Sequence, residues 1–170
     1  MKKPELLAPA GSFEKAKVAF MYGADAVYCG TASLSLRSRA EVDDNDLEKT
    51  IKYAHSIGKK VYAALNIYAW DTNYEEIEKQ VKMLDEVHVD AIIASDGGVI
   101  QKIREIAPNI EIHVSTQANV VSYHAAKFWY DNGAKRVILG RETSKDQIQE
   151  IMKNKPEDLE VEMFIHGALC

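Results

Sequence analysis

The stretch that decides the fold is GADAVYCG at Gly23–Gly30, because two variants of it recur later in the chain. They read HVDAIIAS at His88–Ser95 and GAKRVILG at Gly133–Gly140. Each copy has the pattern of a helix end, a tight turn and then a short apolar run that is typical of a buried parallel strand. Repeated β/α units of this kind predict a parallel sheet with helices outside it.

Short apolar runs alternate with amphipathic stretches along the rest of the chain. The predicted strands are Glu5–Ala10, Ala26–Gly30, Lys60–Asn66, Ala91–Ser95, Glu111–Thr116, Arg136–Arg141 and Glu160–His166. The turn after the first strand is APAGS, with one glycine, whereas a dinucleotide-binding sheet predicts GxGxxG there. We therefore predict an α/β protein, a (β/α)8 TIM-like barrel that is incomplete, with about seven strands and six helices. A compact seven-strand variant and an open sheet are the alternatives.

The helices between these strands have their own signals. Apolar residues recur at helical spacing, and three pairs have the spacing of a capping box: Asn45 with Glu48, Asn73 with Glu76, and Ser144 with Gln147. Gly58 and Gly133 stand where helices should end.

Length and composition limit the possible classes of protein. The chain has 170 residues, 46% of them hydrophobic, and a net charge of -5, so we expect one partial barrel domain over residues 1–170. A closed barrel needs further β/α units, so we expect this domain to be the N-terminal part of a longer protein, with open edges that favour self-association. No apolar run is long enough to span a membrane, and two cysteines make no disulfide framework, so the cytoplasm is the expected compartment.

Polar residues gather at the predicted C-terminal ends of the strands, the face that carries the chemistry of barrel enzymes. They include Asn66, Asp96, Ser115, Gln117, Asn119, Arg141, Glu142 and His166. Strand alternation directs Arg141, Glu162 and His166 to the barrel interior and leaves Cys29 as a small buried hydrophobe. Arg37 and Arg39 follow the second strand and suit an anionic group, although a solvated loop explains them equally well. For any single one of these residues, the alternative is that it only caps the end of its strand and has no functional role.

Several familiar catalytic patterns are absent from the sequence. There is no HExxH, no GxSxG and no Walker loop. His113 and Ser115 lie on one predicted strand, about 6–7 Å apart along it, which is too far for a nucleophile–base hydrogen bond.

The ordered motifs ELLAPAGS, GADAVYCG, GKKVYAALNI, VDAIIASDGGV, HVSTQANV, GAKRVILGRE and VEMFIHGALC resemble the collagenase-like peptidases, peptidase family U32. The resemblance spans nearly the whole chain. It implies that Ser115, Gln117, Asn119, Arg141, Glu142 and His166 occupy motif positions at the barrel mouth and are catalytic candidates. It implies that Cys170 is the first cysteine of a metal-binding signature, and it matches Arg37 and Asn66 less distinctively. Together with Arg39 and Asp96, these two are the substrate-binding candidates.

The family implies two kinds of activity. One is a collagenase-like peptidase of unassigned catalytic type, which we take as the main prediction, with the 170-residue chain inactive by itself. The alternative is iron–sulfur-dependent hydroxylation by a longer protein, acting on tRNA (at the wobble uridine, with prephenate), ribosomal RNA or a quinone precursor. A non-catalytic half-barrel that binds a partner is the third hypothesis. One cluster cysteine cannot hold an iron–sulfur cluster, so we expect no cofactor in this chain.

Overall fold

The strands of the chain run parallel to their neighbours, as the repeats predict. The computed structural model describes residues 3–31, 34 and 41–167. The chain divides into two compact units, Met1–Ile110 and Glu111–Cys170.

The first unit is a parallel sheet with four helices. Its strands are β1 (Leu7–Pro9), β2 (Ala26–Thr31), β3 (Glu41–Val42), β4 (Lys60–Ala64) and β5 (Ala91–Ala94), and its helices are α1 (Phe13–Met21), α2 (Asp44–Ser56), α3 (Tyr74–Glu86) and α4 (Gly97–Ile106). Strand β2 pairs with β1, β3 and β4, and β4 pairs with β5. The two-residue strand β3 is an addition to the predicted set, because its short run gives no apolar signal.

The second unit repeats the same arrangement. It contains β6 (Glu111–Val114), α5 (Tyr123–Asp131), β7 (Arg136–Ile138), α6 (Lys145–Asn154) and β8 (Glu160–Glu162). Strand β7 pairs with β6 and with β8. All seven predicted strands and six helices are therefore present. Strands β4 to β8 end before their predicted polar ends, whereas β2 runs one residue further than predicted, to Thr31.

Apolar residues at helical spacing hold the helices in place. The buried positions are Leu47, Ile51 and Ala54 on α2, Ile77, Val81 and Leu84 on α3, and Val99, Ile100 and Ile103 on α4. A fully buried Leu or Ile stabilises the fold by about 1.5–3 kcal/mol relative to an exposed one. None of the described helices is both long and apolar enough to cross a membrane.

The predicted helix starts are partly confirmed. Ser144 and Gln147 form the predicted capping box. Helix α2 begins earlier than predicted, because the Asp43 carboxylate accepts a hydrogen bond from the Asp46 N–H at 2.8 Å. Helix α3 begins where predicted, with Asn73 as its N-cap residue, but the Asn73 side chain makes no cap hydrogen bond to the helix: it accepts from the Trp70 N–H at 3.0 Å and closes the turn before α3.

The repeated phrase has a common backbone geometry at its first residue. Gly23, His88 and Gly133 have φ values of 97°, 59° and 92°. Each follows the C-terminal cap of a helix, where a left-handed residue reverses the chain toward the next strand. Two copies use glycine for this conformation, whereas His88 adopts it with a side chain.

The third residue of each copy aligns its strand with a neighbouring strand. The backbone N–H groups of Asp25, Asp90 and Lys135 donate to the carbonyls of Leu6, Val61 and Ile112 at 2.8, 3.1 and 2.9 Å. The two carboxylates also accept from the backbone of the same partner residues, at 3.1 Å from the Leu6 N–H and 2.8 Å from the Val61 N–H. This pair of hydrogen bonds fixes the register where the strands begin.

Replacing His88 by glycine is expected to raise the free energy of unfolding by about 0.5–1 kcal/mol. The left-handed conformation costs a side-chain-bearing residue about 1–2 kcal/mol, and the greater freedom of glycine in the unfolded chain offsets part of that gain. Urea denaturation measures the change. Val87→Gly is the matched control, because Val87 has a φ of -85° and glycine there relieves no strain. A loss of stability in His88→Gly equal to that in Val87→Gly would contradict the conclusion that the left-handed conformation strains His88.

The Asp25 carboxylate should make stability depend on pH in the acid range. Its hydrogen bond from the Leu6 N–H, followed by the one from Lys59, lowers the pKa of Asp25 to about 2. A lowered pKa in the folded state adds stability above the unfolded-state pKa of about 3.9, and this stability is lost as the pH falls toward 2. The Asp25→Asn variant should thus have a lower free energy of unfolding than wild type at pH 6, and this difference in free energy should be smaller at pH 3. The same experiment on exposed Asp85→Asn should show no such difference.

Candidate functional site

The segment after β6 carries three of the predicted catalytic residues on one tight turn. Ser115 begins a short 3-10 helix, Thr116–Ala118, which ends at Asn119 in the left-handed conformation, with φ 55° and ψ 47°. The Ser115 hydroxyl accepts from the Gln117 N–H at 3.4 Å and donates to the Gln117 side-chain carbonyl at 3.3 Å. Ser115 is 4% exposed, whereas Gln117 and Asn119 reach solvent. The turn therefore buries the hydroxyl and presents the two amides.

Hydrogen bonds tie this turn to the chain that leaves β7. The Thr116 hydroxyl donates to the Leu139 carbonyl at 3.2 Å, Val120 pairs with Leu139 in a parallel bridge, and the Gly140 N–H donates to the Val120 carbonyl at 3.0 Å. The residues after β6 and after β7 consequently lie side by side at the C-terminal ends of their strands.

Gly140 sets the position of Glu142. A Cβ on residue 140 would lie 2.9 Å from Val121 Cγ1 and 3.1 Å from the Glu142 carboxylate. The Thr143 hydroxyl and N–H both donate to the Gly140 carbonyl, at 2.6 and 3.1 Å, and close the turn. Glycine thus lets the Glu142 side chain fold back over the backbone beside Val121 while remaining exposed to solvent.

Arg141 is held by the segment after β8. Its guanidinium lies over the Phe164 ring, 4.1 Å from the ring centroid, in a cation–π contact. A Cβ on Gly167 would be 3.5 Å from Arg141 Nη2, and Gly167 has a φ of 144°, so the backbone passes close to the guanidinium. His166, which is exposed, directly precedes this contact. Residues 164–167 and Arg141 therefore form one local group.

The described residues place the predicted candidates in separate sets. The turn after β6 groups Ser115, Gln117 and Asn119, and the chain after β7 carries Arg141 and Glu142. Asp96, in the first unit, caps α4: its Oδ1 accepts from the N–H groups of Gly98 and Val99 at 2.9 and 3.0 Å. Asn66 follows β4 and is half-buried. Arg37, Arg39 and Cys170 lie outside the described residues.

Strand alternation does not extend to Arg141, because β7 ends at Ile138. The register pairs Arg136 with Glu160 and Ile138 with Glu162, so Glu162 shares a face with Arg136 rather than with the odd-numbered residues of β7. The predicted strand Arg136–Arg141 is too long by three residues: Leu139 still pairs with Val120 in an isolated bridge, and Gly140 and Arg141 belong to the Gly140–Thr143 bend.

Arg136 is absent from the predicted site residues, although it is the centre of a charged cluster that joins the start of β7 to Glu160 and Glu162 of β8. Its guanidinium donates to Glu160 Oε2 at 2.8 and 2.5 Å and to Glu162 Oε2 at 3.1 Å, with only 8% of the side chain exposed. His113, the register partner of Arg136, is fully buried. Burial, and then the positive charge of Arg136, lower the pKa of His113. The N-terminal end of parallel strands contributes to stability in barrel enzymes, so we interpret the cluster as structural.

A signal for this cluster was present in the sequence. Arg136 interrupts the apolar phrase GAKRVILG, and Glu160 and Glu162 are spaced two apart, so they lie on one face of a strand. An arginine in a buried strand requires a carboxylate partner, because an unpaired charge is strongly disfavoured there.

The described part of the chain does not contain the donors that an iron–sulfur cluster needs. Its one cysteine, Cys29, is 1% exposed as predicted, and burial raises the pKa of its thiol to about 12, which disfavours the ligating thiolate. The described residues include no group of three or more His, Cys, Asp or Glu side chains that could hold a metal ion. The role of Cys170 as a cluster ligand stays a prediction.

Comparison with known proteins bears out the family resemblance. The sequence pattern of Peptidase family U32 matches residues 11–170. The chain is 47% identical to the tRNA hydroxylation protein P of Haemophilus influenzae, over 99% of this chain and 36% of that protein. It is 37% identical to a 23S rRNA 5-hydroxycytidine synthase of Escherichia coli, over 98% of this chain and 25% of that protein. The chain thus spans well under half the length of these curated relatives.

A solved structure supports the predicted fold class. A U32 peptidase superimposes with a TM-score of 0.75 at 14% identity, over 95% of this chain and 70% of that one. Together with the parallel β/α order of the elements, this likeness confirms the prediction of an α/β, incomplete TIM-like barrel. The two sequence relatives are named for RNA hydroxylation, and the structural neighbour is named a peptidase.

Replacing Gly140 by alanine should lower the free energy of unfolding by about 1–3 kcal/mol, because the new methyl group has no room beside Val121 and Glu142. Urea denaturation measures this loss, and the altered Glu142 position should also change any activity that depends on this bend. Gly97→Ala is the control: an added Cβ there meets no atom of the described residues within 4 Å, and alanine favours the start of α4. A Gly140→Ala protein as stable as Gly97→Ala would contradict the packing described here.

Proposed function

The chain belongs to peptidase family U32, and from this membership we propose that it is the RNA-contacting part of a protein that hydroxylates tRNA. The observation that carries the proposal is the 47% identity to a tRNA hydroxylation protein over 99% of the chain. A second relative, at 37% identity, is named for hydroxylation of ribosomal RNA. Because the chain spans 36% of the first relative, the complete reaction belongs to the proposal for the whole protein.

The geometry after β7 supports binding of an anionic group. The Arg141 guanidinium lies over the Phe164 ring, with Cζ 4.1 Å from the ring centroid, and this cation–π contact holds the guanidinium in place. A guanidinium fixed in this way loses little side-chain freedom when it donates two parallel hydrogen bonds to a phosphate or a carboxylate. We assign Arg141 to a phosphate of the RNA or to the carboxylate of a co-substrate.

The turn after β6 supports contacts to a base. Gln117 and Asn119 are exposed amides on a backbone that is fixed by the Ser115 and Thr116 hydrogen bonds. An amide side chain offers one acceptor and two donors, which matches the edges of unpaired bases. Protein side chains carry no two-electron oxidant of their own, so we assign these residues to binding and orientation rather than to the oxidation.

The contacts of Ser115 count against a serine peptidase reading. Its hydroxyl donates to the amide oxygen of Gln117, and an amide oxygen does not accept a proton at neutral pH as a general base must. The nearby His113 is fully buried and faces Glu111, with 3.5 Å between His113 Nε2 and Glu111 Oε2. The Gln117 contact therefore does not activate the Ser115 hydroxyl, which supports hydroxylation over peptide hydrolysis.

Substitutions of Arg141 test the proposal. Arg141→Ala should weaken binding of tRNA to the chain by about tenfold, which corresponds to about 1.4 kcal/mol. If the contact is to a phosphate, this variant should also lower the salt dependence of binding by roughly one counterion. Arg141→Lys keeps the charge and thus the salt dependence, but should lose affinity because it lacks the planar fork. Fluorescence anisotropy over a range of salt concentrations gives both quantities.

The matched control is Lys153→Ala, which removes an exposed charge from the last turn of α6, at the opposite end of the β/α unit.

In the source organism, disruption of the gene should remove a tRNA nucleoside that is one oxygen heavier than its precursor, as measured by mass spectrometry. The wild-type gene should restore this nucleoside, and the gene encoding Arg141→Ala should not. An unchanged nucleoside profile after disruption, together with cleavage of gelatin by the purified protein, would overturn the proposal.

A further inference from the structure

Two exposed aromatic side chains follow β4 in the first unit. Tyr68 is 74% exposed and Trp70 is 73% exposed, whereas Ile67, which precedes Tyr68, and Ala69, which lies between the two aromatic residues, are half-buried. Large aromatic side chains that are exposed to this degree are uncommon, since burying one contributes several kcal/mol. The segment leaves the C-terminal end of β4, which in parallel β/α folds is the end that binds ligands.

The backbone that carries Trp70 is fixed although its ring is exposed. The Trp70 N–H donates to Asn73 Oδ1 at 3.0 Å, and the Asn73 N–H donates back to the Trp70 carbonyl at 2.8 Å. The following residue, Tyr74, donates through its hydroxyl to Asp96 Oδ1 at 3.4 Å, the same oxygen that caps α4. The turn from Trp70 to Asn73 is therefore fixed by its own hydrogen bonds and by the contact of Tyr74 with Asp96, while the Trp70 ring faces solvent; Tyr68 precedes this turn.

We infer that Tyr68 and Trp70 form a stacking platform for unpaired bases of an RNA. This inference rests on the proposed function, because it takes the RNA as the substrate. Every base has an apolar face, and stacking on an aromatic side chain contributes about 1–3 kcal/mol per base. Because the backbone of Trp70 is already fixed, its ring binds a base with little loss of backbone freedom.

The surroundings favour base faces over the other groups that could cover these rings. Asp71 and Glu75 are exposed beside the platform, and their negative charge repels phosphates, so the sugar–phosphate chain should stay away from this turn. A stable protein partner needs about 800 Å² of surface on each side, which two side chains flanked by half-buried residues do not supply. One or two stacked bases match the size of the exposed rings.

Tryptophan fluorescence tests the platform directly. The chain has two tryptophans, Trp70 and Trp129, so Trp129→Phe leaves Trp70 as the reporter. A short single-stranded RNA should quench the Trp70 emission as it binds. An abasic ribose–phosphate oligomer of the same length, which has the charge but not the bases, should leave the emission unchanged. Equal quenching by the two oligomers would overturn the inference.

Affinity measurements on the full 170-residue chain give a second readout. Trp70→Ala and Tyr68→Ala should each weaken RNA binding by about fivefold to a hundredfold, with no change in its salt dependence, because no phosphate contact is lost. Tyr22→Ala is the matched control. Tyr22 is 86% exposed at the end of α1, before the start of β2, and thus at the opposite end of the sheet. All three residues are exposed, so the variants should keep the wild-type thermal midpoint.

The outcomes separate this inference from the proposed function. Suppose that the wild-type chain binds RNA, and that the Trp70→Ala and Tyr68→Ala variants bind it as tightly as the Tyr22→Ala variant does. The inference of a stacking platform is then wrong, whereas the proposed RNA-contacting function stands. If the wild-type chain binds no RNA, both are overturned. Loss of affinity in Trp70→Ala and Tyr68→Ala, but not in Tyr22→Ala, supports the platform.

Discussion

The alignment of neighbouring strands at their starts is the constraint on which the rest of the structure depends. Asp25 and Asp90 each join their strand to the adjacent one by two hydrogen bonds, one from the backbone N–H and one to the carboxylate. Lys135 makes the same backbone bond and donates its ammonium to the Asp158 carbonyl at 2.9 Å. A shift of one residue would turn every side chain of a strand to the other face, so these bonds determine which residues are carried to the C-terminal ends.

Much of the fold could be predicted because each copy of the repeated sequence contains the residues that set its backbone conformation. The positive φ of Gly23 and Gly133 and the apolar strands that follow them are visible as glycine and as Val or Ile runs. The strand ends were predicted less well. The sequence pattern places Arg141 in a strand, but Gly140 and Thr143 form a bend there. The pattern also gives no sign that Arg136 is buried and paired with two glutamates. Such contacts depend on pairing between segments distant in sequence, which local periodicity does not report.

The polar residues at the strand ends differ in how well the fold prepares them. Gln117 and Trp70 lie on backbones that hydrogen bonds hold in place, and their side chains are exposed, whereas Arg141 is half-buried with its guanidinium over the Phe164 ring. Ser115 and Asp96 have side chains engaged in capping turns, and this accounts for them structurally. In the proposed function, the amides and the guanidinium of the second unit bind bases and phosphates, and the aromatic side chains of the first unit stack on bases.

The most direct test of this account is to map where RNA touches the chain. Ultraviolet crosslinking of tRNA to the protein, followed by mass spectrometry of the digested complex, identifies the contacted peptides without a substitution. We expect crosslinks in the segments after β4, β6 and β7, which contain Trp70, Gln117 and Arg141. Crosslinks confined to the strand starts, around Asp25, His88 and Lys135, would contradict it.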